Sequence, residues 1–228
     1  MTRDWFRSTD WSREGAAEFE RRLSRARPYN RAQYLRIQGL HLAESGNVDA
    51  ARELWVRVLH DQGPSAEFQS YAALEHLADS YTADEPEQAE AFYRRLIAEN
   101  PTMNGTSSLQ HVKLAEVLIA RGSDAALEEA IELLTQWVET DSPHFPNELF
   151  RWNLALIAAA EATGEDVVAR AAAQRALQLA DQGPVFPRHP SVGVVQADQA
   201  TLHRLKRVAT KRKRRLLARL ARRERGTS

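Results

Sequence analysis

The chain has 228 residues, a formal net charge of zero, 43% hydrophobic residues and no cysteine. The absence of cysteine excludes disulfides, thiolate metal sites and a cysteine nucleophile. The N-terminal residues lack the apolar run of a secretory signal, and no window reaches the roughly 18 apolar residues of a membrane span. Arginine outnumbers lysine 27 to 4, which is typical of GC-rich bacterial genomes. We therefore expect a cytoplasmic protein with no integral membrane segment.

The charges are distributed unevenly along the chain. Residues 201–228 contain twelve lysines or arginines and one acid, so their net charge is +11 and that of residues 1–200 is −11. An acidic body with a basic tail indicates that the two parts contact different partners or each other.

The N-terminal residues 1–29 are predicted to form an aromatic segment followed by a capping helix. Three aromatic residues stand near the start of the chain: Trp5, Phe6 and Trp11. We expect them to pack over the open end of the first helix pair. Ser12 is a suitable N-cap for the helix that follows, and Pro28 ends that helix.

Residues 32–64 have the pattern of two amphipathic helices folded back on each other. Gly46 is expected to end the first helix, because glycine adopts a positive φ without steric cost. Gly39 is a small residue where the two helices cross, and Trp55 fills the space between hairpins. A similar pattern recurs in three further hairpins, with turns at Asp84, Gly122 and Gly164.

Capping residues set the expected helix starts. Asn30 is predicted to cap the first helix of the opening hairpin, with Gln33 at the capping-box position. In the third hairpin the apolar residues of the second helix lie three positions further from the turn than in the opening hairpin, which predicts a longer turn after Gly122. No period-two alternation is sustained, so the sequence predicts an all-α protein.

The opening hairpin resembles the tetratricopeptide repeat (TPR). The resemblance rests on the order of small, apolar, glycine, alanine and aromatic residues at Gly39, Leu42, Gly46, Ala51 and Trp55. It implies a right-handed α-α superhelix with four hairpins over residues 30–183. Such superhelices present a concave surface to protein or peptide partners.

In TPR proteins the first helix of each hairpin lines the concave groove. The matching positions that we assign to partner binding are Gln33, Arg36, Glu75, Asp79, Glu116, Arg151 and Glu161. Further groove positions are Leu40, Val112 and Leu154. The groove is predicted to be acidic in its middle, which favours a basic or amphipathic segment of a protein partner.

Residues 184–195 are predicted to be a connector, because three prolines recur every third residue there, as in polyproline II. Residues 196–228 are predicted to form a basic amphipathic helix, and its first half, from Leu202 to Ala209, is expected to cap the last hairpin. The basic residues assigned to partner contacts are Arg204, Lys206, Arg207, Lys211, Arg212, Lys213, Arg214 and Arg215.

Three partners for the basic tail stay open. It can bind the acidic repeats of this chain or of a second copy, which would be self-association. It can bind the phosphates of a nucleic acid. It can also lie on an anionic membrane surface.

The sequence contains no phosphate-binding loop, no nucleophile elbow and no pair of histidines four residues apart. We therefore expect no enzyme activity, no cofactor and no metal site. The leading hypothesis is a protein-interaction scaffold. The alternative is a nucleic-acid-associated factor that uses the C-terminal helix.

Overall fold

The structure is a computed structural model that describes residues 4–141, 143–186 and 188–210. Within these ranges it contains ten α-helices, a short 3-10 helix at Trp5–Arg7 and no β-strand, which confirms the all-α prediction. The helices are α1 Arg13–Ser24, α2 Pro28–Glu44, α3 Val48–Leu59, α4 Ala66–Tyr81, α5 Pro86–Glu99, α6 Gln110–Arg121, α7 Asp124–Val138, α8 Pro146–Thr163, α9 Asp166–Ala180 and α10 Gln199–Thr210.

The chain divides into two compact units, unit 1 from Met1 to Val117 and unit 2 from Leu118 to Ser228. The division falls within α6. Neighbouring helices pack against one another in pairs within each unit, as expected for helical hairpins. The segment boundaries predicted at residues 29, 183 and 195 stay predictions.

The N-terminal aromatic residues pack against the core of unit 1, as the sequence predicts. The ring of Trp5 lies 5.5 Å from that of Phe19 on α1 and 5.1 Å from that of Tyr34 on α2. The predicted cap of α1 is also present, since the Ser12 hydroxyl accepts a hydrogen bond from the Gly15 backbone N–H at 3.2 Å. These contacts cover the end of the first hairpin.

The α2–α3 hairpin has the predicted turn and the predicted close crossing. Gly46 has a φ of +90°, the left-handed region in which a Cβ would clash with the backbone. Gly39 lies so close to Trp55 that a Cβ added there would be 2.5 Å from the indole Nε1. Trp55 in turn donates from Nε1 to the Arg36 carbonyl at 3.1 Å. The large indole is therefore accommodated because residue 39 has no side chain.

The predicted start of α2 is wrong. The helix begins at Pro28, two residues before the expected cap Asn30, and Arg27 is its N-cap residue. Proline favours the first helical position because its fixed φ is helical and its missing N–H would be unpaired there. Asn30 lies inside the first turn, where its side-chain nitrogen is 3.4 Å from the Tyr34 hydroxyl.

The predicted longer turn in the third hairpin is also wrong. Only Gly122 and Ser123 separate α6 from α7, and the Ser123 hydroxyl caps α7 by accepting the Ala126 N–H at 3.3 Å. The apolar residues arrive late because α7 is longer, 15 residues against 12 in α3. The extra residues are helical and lie at the start of α7.

In unit 2 the helices α8 and α9 approach through small side chains. The α9 residues in this core are Ala169, Ala172, Ala173, Ala176 and Leu179. Leu205 and Val208 of α10 are buried in the same core, so the predicted capping of the last hairpin by residues 202–209 is confirmed. Residues 211–228 lie outside the described residues.

The connector after α9 turns back toward the start of α8. The His189 N–H donates to the Phe186 carbonyl and the Val192 N–H donates to the His189 carbonyl, both at 3.0 Å. These two turns interrupt the extended polyproline II conformation that the proline spacing suggests; Pro187 itself lies outside the described residues. The Gly193 carbonyl then accepts the Asn147 N–H at 3.0 Å, which fixes the connector to the first turn of α8.

Candidate functional site

Arg36 joins α2 to α4 on the face where the resemblance places the groove. Its Nε donates to Gln69 Oε1 at 2.6 Å, and its Nη1 lies 3.4 Å from His76 Nε2. Arg36 is half-buried, and this burial lowers its pKa. The neighbouring α2 positions differ in exposure, since Gln33 is exposed whereas Leu40 is half-buried.

His76 is held neutral by its surroundings. Burial, followed by the nearby charge of Arg36, lowers its pKa from the ordinary 6.5 to about 4. Because a guanidinium can only donate, His76 Nε2 must accept from Arg36, which places the imidazole proton on Nδ1. The imidazole also packs against Trp55 of α3, with ring centroids 5.3 Å apart. His76 therefore connects three helices as an uncharged acceptor.

A second polar group includes two α4 residues that flank His76, and we call it the Lys113 cluster. Its members are Glu75, Asp79, Tyr93, Ser107 and Lys113. Lys113 Nζ donates to Glu75 Oε1 at 2.9 Å and to Asp79 Oδ2 at 2.8 Å. The Tyr93 hydroxyl donates to Asp79 Oδ1 at 2.5 Å. The cluster ties α4 to α5 and α6 within unit 1.

Glu75 stays ionised although it is buried. Its burial would raise the pKa, but the charge of Lys113 and the hydrogen bonds from Ser107 lower it below the ordinary value. Ser107 contributes both its hydroxyl and its backbone N–H, the latter at 2.9 Å from Glu75 Oε2. Both oxygens of this buried carboxylate are therefore hydrogen-bonded, which offsets the cost of its burial.

The Lys113 cluster corrects the sequence interpretation of the groove. Glu75 is 4% exposed and bound by Lys113 and Ser107, so it is no free acid that a partner can reach. Val112, another expected groove position, is 0% exposed. Asp79 differs, because its side chain keeps 42% of its surface exposed while Lys113 and Tyr93 hold both oxygens. Of the two central acids, only Asp79 is accessible.

The other predicted groove residues lie on α6 and α8. Glu116 on α6 and Arg151 on α8 are half-buried. Leu154 packs with the core that α10 covers, so it is not an open groove position. Glu161 at the end of α8 is exposed and forms an ion pair with Arg204 of α10 at 2.7 Å.

The basic tail is described only in its first part. Arg204, Lys206 and Arg207 lie on α10 and are exposed, whereas the neighbouring Leu205 and Val208 are buried. The other predicted contacts fall outside the described residues: Lys211, Arg212, Lys213, Arg214 and Arg215. In α10, therefore, the apolar stripe is used for packing and the basic side faces solvent.

Five contributors to the site were not predicted from the sequence: Gln69, His76, Tyr93, Ser107 and Lys113. Lys113 carries a usable signal, because it stands in the otherwise apolar run from Val112 to Ala115, and lysine is seldom buried without a partner. Gln69 and His76 are seven residues apart on α4 and so share one helical face. Which helix that face meets does not follow from spacing.

Neither a metal-binding cluster nor a membrane-spanning helix is found in the described ranges. No group of three or more histidine, aspartate or glutamate side chains suited to a metal ion occurs there. Among the helices described, none is long and apolar enough to cross a membrane.

Comparison with known proteins does not assign this chain to a family. A scan against protein-family models and searches of curated proteins and of solved structures return no match.

Proposed function

We propose that this protein is a cytoplasmic, TPR-like interaction scaffold that binds a basic or amphipathic segment of a partner protein. The binding surface in unit 1 is the α2–α4 face, which we define by Gln33, Arg36, Leu40, His76 and Asp79. The TPR assignment is supported by the packing of helices in adjacent pairs and by the Gly39–Trp55 crossing.

The observation that carries the proposal is the fixed, exposed carboxylate of Asp79. Lys113 and Tyr93 hold it at 2.8 and 2.5 Å, yet its side chain is 42% exposed. A carboxylate already fixed in position loses little conformational freedom when it accepts a further hydrogen bond, so more of the interaction energy appears as affinity. Its free lone-pair directions suit a lysine, an arginine or a backbone N–H of a partner.

The balance of charges narrows the partner. The charge of Glu75 is neutralised by Lys113, so this part of the groove is less acidic than the sequence predicts. Arg36 adds a positive charge, since Arg36 and Asp79 are both near enough to His76 to influence its pKa, and the half-buried Leu40 adds apolar surface. An amphipathic segment with one cation placed at Asp79 fits this surface better than a uniformly basic one.

Selection of peptides from a random display library tests the proposal. We expect wild-type protein to enrich peptides in which a lysine or arginine is flanked by apolar residues. Asp79→Lys should weaken binding of the selected peptides at least tenfold, because it removes the acceptor of the peptide's cation and places a second cation against it, and like charges brought together across an interface cost several kcal/mol. Glu87→Lys is the matched control, since Glu87 is an exposed acid on α5, and it should leave affinity unchanged.

Equal binding of the selected peptides to the Asp79→Lys variant would contradict the proposal. So would enrichment of peptides without any cationic residue. Circular dichroism of the variant separates loss of binding from loss of folding.

The second candidate function is nucleic-acid binding through the C-terminal helix. The observation that favours it is the exposure of Lys206 and Arg207 opposite the buried side of α10. Fluorescence anisotropy with a labelled duplex and a single-stranded RNA, over a salt series, compares full-length protein with a chain ending at Thr210. Phosphate contacts predict affinity that falls steeply with salt, that weakens when Lys206 and Arg207 are both changed to glutamine, and that weakens further on truncation, which removes the other basic residues of the tail. No binding by the full-length protein at low salt would exclude this candidate.

A further inference from the structure

A cavity at the N-terminal end of unit 1 has properties that the proposed function does not use. It has a volume of about 460 Å³ and lies between the N-terminal segment, α1 and α2. Its lining includes Trp5, Glu18, Arg21, Arg22, Arg25 and Tyr34. The volume falls within the range of about 300–1,000 Å³ that is usual for small-molecule sites. We call it the Trp5 cavity.

The Trp5 cavity has an excess of positive charge. Three of the lining residues are arginines and one, Glu18, is an acid, which leaves two uncompensated positive charges. Arg22 binds Glu18 through Nε at 2.5 Å, and Arg21 contacts the same carboxylate. The hydrogen bond from Arg22, the largest contribution, lowers the pKa of Glu18. The existing pair shows that arginines on this face of α1 can hold an oxyanion.

Arg25 has no acidic partner among the described residues. Its backbone N–H donates to the Arg22 carbonyl at 3.2 Å, and the structure shows no ion pair of its side chain. Arg21 is 65% exposed in its side chain, so most of its donors are accessible as well. Arg25 is the C-cap residue of α1 and keeps helical backbone angles, so it lies on the same side as Arg21, four residues earlier.

The other wall of the cavity is aromatic and well supported. Trp5 and Tyr34 contact each other edge to face at 5.1 Å. Trp5 also packs on the buried Phe19 at 5.5 Å, and Phe6 stacks on Tyr34 at 4.5 Å. Rings held on several sides keep their positions, so they offer a fixed apolar surface to a flat ring of a ligand.

Acidic residues of an adjoining cavity limit where an anion can bind. A neighbouring cavity that shares Trp5, Glu18 and Arg22 adds the acids Asp10 and Glu14. These acids repel an anionic group, and the arginines attract it. An anionic ligand is thereby directed to the arginine side, with its remaining part against the aromatic wall.

We propose that the Trp5 cavity binds a nucleoside phosphate, with the phosphate at Arg21 and Arg25 and the base against Trp5 and Tyr34. A phosphate monoester carries about −1.5 to −2 charges at neutral pH, which matches the two uncompensated positive charges. A carboxylate would neutralise only one of them. Arginine suits phosphate because its planar group donates in pairs.

Isothermal titration calorimetry of the full-length protein tests this site with four probes: AMP, adenosine, inorganic phosphate and a short single-stranded RNA with a 5′-phosphate. We expect AMP to bind more tightly than adenosine or phosphate alone, because each of these lacks one half of the recognised structure. The 5′-phosphorylated RNA distinguishes the source: binding that is tighter than that of AMP and is lost in the Arg21→Gln, Arg25→Gln variant indicates a strand end, and weaker binding indicates a free nucleotide.

The double variant Arg21→Gln with Arg25→Gln should weaken AMP binding at least about tenfold, since it removes two of the three arginines that line the cavity and the net positive charge with them. Arg13→Gln is the matched control, an exposed arginine on the same helix outside the cavity, and it should have no effect. Replacing both arginines by lysine should restore part of the affinity. Because the C-terminal residues are unchanged in all variants, binding elsewhere on the chain does not alter the comparison.

Three outcomes overturn the proposal. The first is absence of heat on titrating AMP to millimolar concentration. The second is equal AMP affinity of the double variant and the wild type. The third is equal affinity for inorganic phosphate and AMP, which would remove the role of the aromatic wall.

Discussion

Unit 1 and unit 2 are both built from helical hairpins, but different contacts join their helices. Seven polar residues are buried in the described chain, and only Asn153 among them belongs to unit 2. Those of unit 1 are Gln38, Gln69, Glu75, Asn100, Gln110 and Lys113. In unit 2 the α8–α9 contact is made largely by alanines, and the Asn153 amide bonds only to the Leu149 carbonyl of its own helix.

The difference concerns how the position of one helix on another is specified. Hydrogen bonds and ion pairs need particular atoms at particular distances, so the Arg36 and Lys113 contacts fix the register of α4 on its neighbours. Alanine contacts permit close approach but are less specific in direction. Unit 1 should therefore be sensitive to pH and to single charges, whereas unit 2 should be sensitive mainly to side-chain volume.

The largest expected effect is that of Lys113→Met. The substitution leaves Glu75 buried without its cation, and breaking a buried ion pair in this way costs about 3–5 kcal/mol. Urea unfolding of the full-length protein measures the loss, and hydrogen exchange read peptide by peptide assigns it to unit 1. The variant that combines Lys113→Met with Glu75→Gln should lose less, because no unpaired charge remains buried. A loss below about 1 kcal/mol for the single variant would remove the distinction between the units.

The next largest effect is a pH dependence of stability that is confined to unit 1. The pKa of His76 is 6.5 in the unfolded chain and about 4 in the fold, so between these values the unfolded state binds more protons. The contribution of His76 to the free energy of unfolding is therefore fully present above pH 6.5. It falls by ~3 kcal/mol as the pH drops to 4. His111 contributes in the same direction, because burial lowers its pKa too.

The acidic groups act in a different window. The pKa of Glu75 is lowered in the fold, so its contribution is present above the ordinary value of 4.5 and is lost only below it. Hydrogen exchange is measured at pH 7 and pH 5 and corrected for the intrinsic exchange rate. Protection in α2–α4 should be lower at pH 5 than at pH 7, and protection in α8–α9 should not change. His76→Phe should flatten the response. Equal loss of protection in both units would contradict the assignment to His76.

The third prediction compares two glycines of the α2–α3 hairpin. Gly39→Ala places a Cβ 2.5 Å from Trp55 Nε1 and disturbs the hydrogen bond to the Arg36 carbonyl, which should cost about 1–3 kcal/mol by overpacking. Gly46→Ala meets no atom within 4 Å and pays only for its positive φ, about 1–2 kcal/mol. Near-ultraviolet circular dichroism should change for Gly39→Ala alone, because only that substitution moves the indole.

Much of the fold of the hairpins could be predicted from the sequence. Gly46, Gly122 and Gly164 mark turns with positive φ, and Trp55 lies at the crossing that Gly39 permits. These features are local, because each depends on residues within one hairpin. The prediction of where α2 starts was wrong for a local reason as well, since Pro28 at the first helical position outweighed the capping tendency of Asn30.

The candidate site was less predictable because its contacts join distant parts of the chain. Lys113 is 38 residues from Glu75 and 34 from Asp79, and the pairing depends on how α6 sits against α4. Periodicity shows which residues share a helix face but not which face it meets. The sequence therefore counted Glu75 as a groove acid and could not include the lysine that neutralises it.

The smallest expected effect is that of Arg204→Gln in unit 2. Arg204 and Glu161 are 45% and 36% exposed in their side chains, and an exposed ion pair of this kind contributes about 0–1 kcal/mol. Leu205→Ala is the informative contrast, because Leu205 is 1% exposed and its truncation should cost about 2–5 kcal/mol. Hydrogen exchange in α10 measures the loss of stability that each substitution causes. If Arg204→Gln released α10 as much as Leu205→Ala did, the helix would be held by its charges, and unit 2 would depend on polar contacts as unit 1 does.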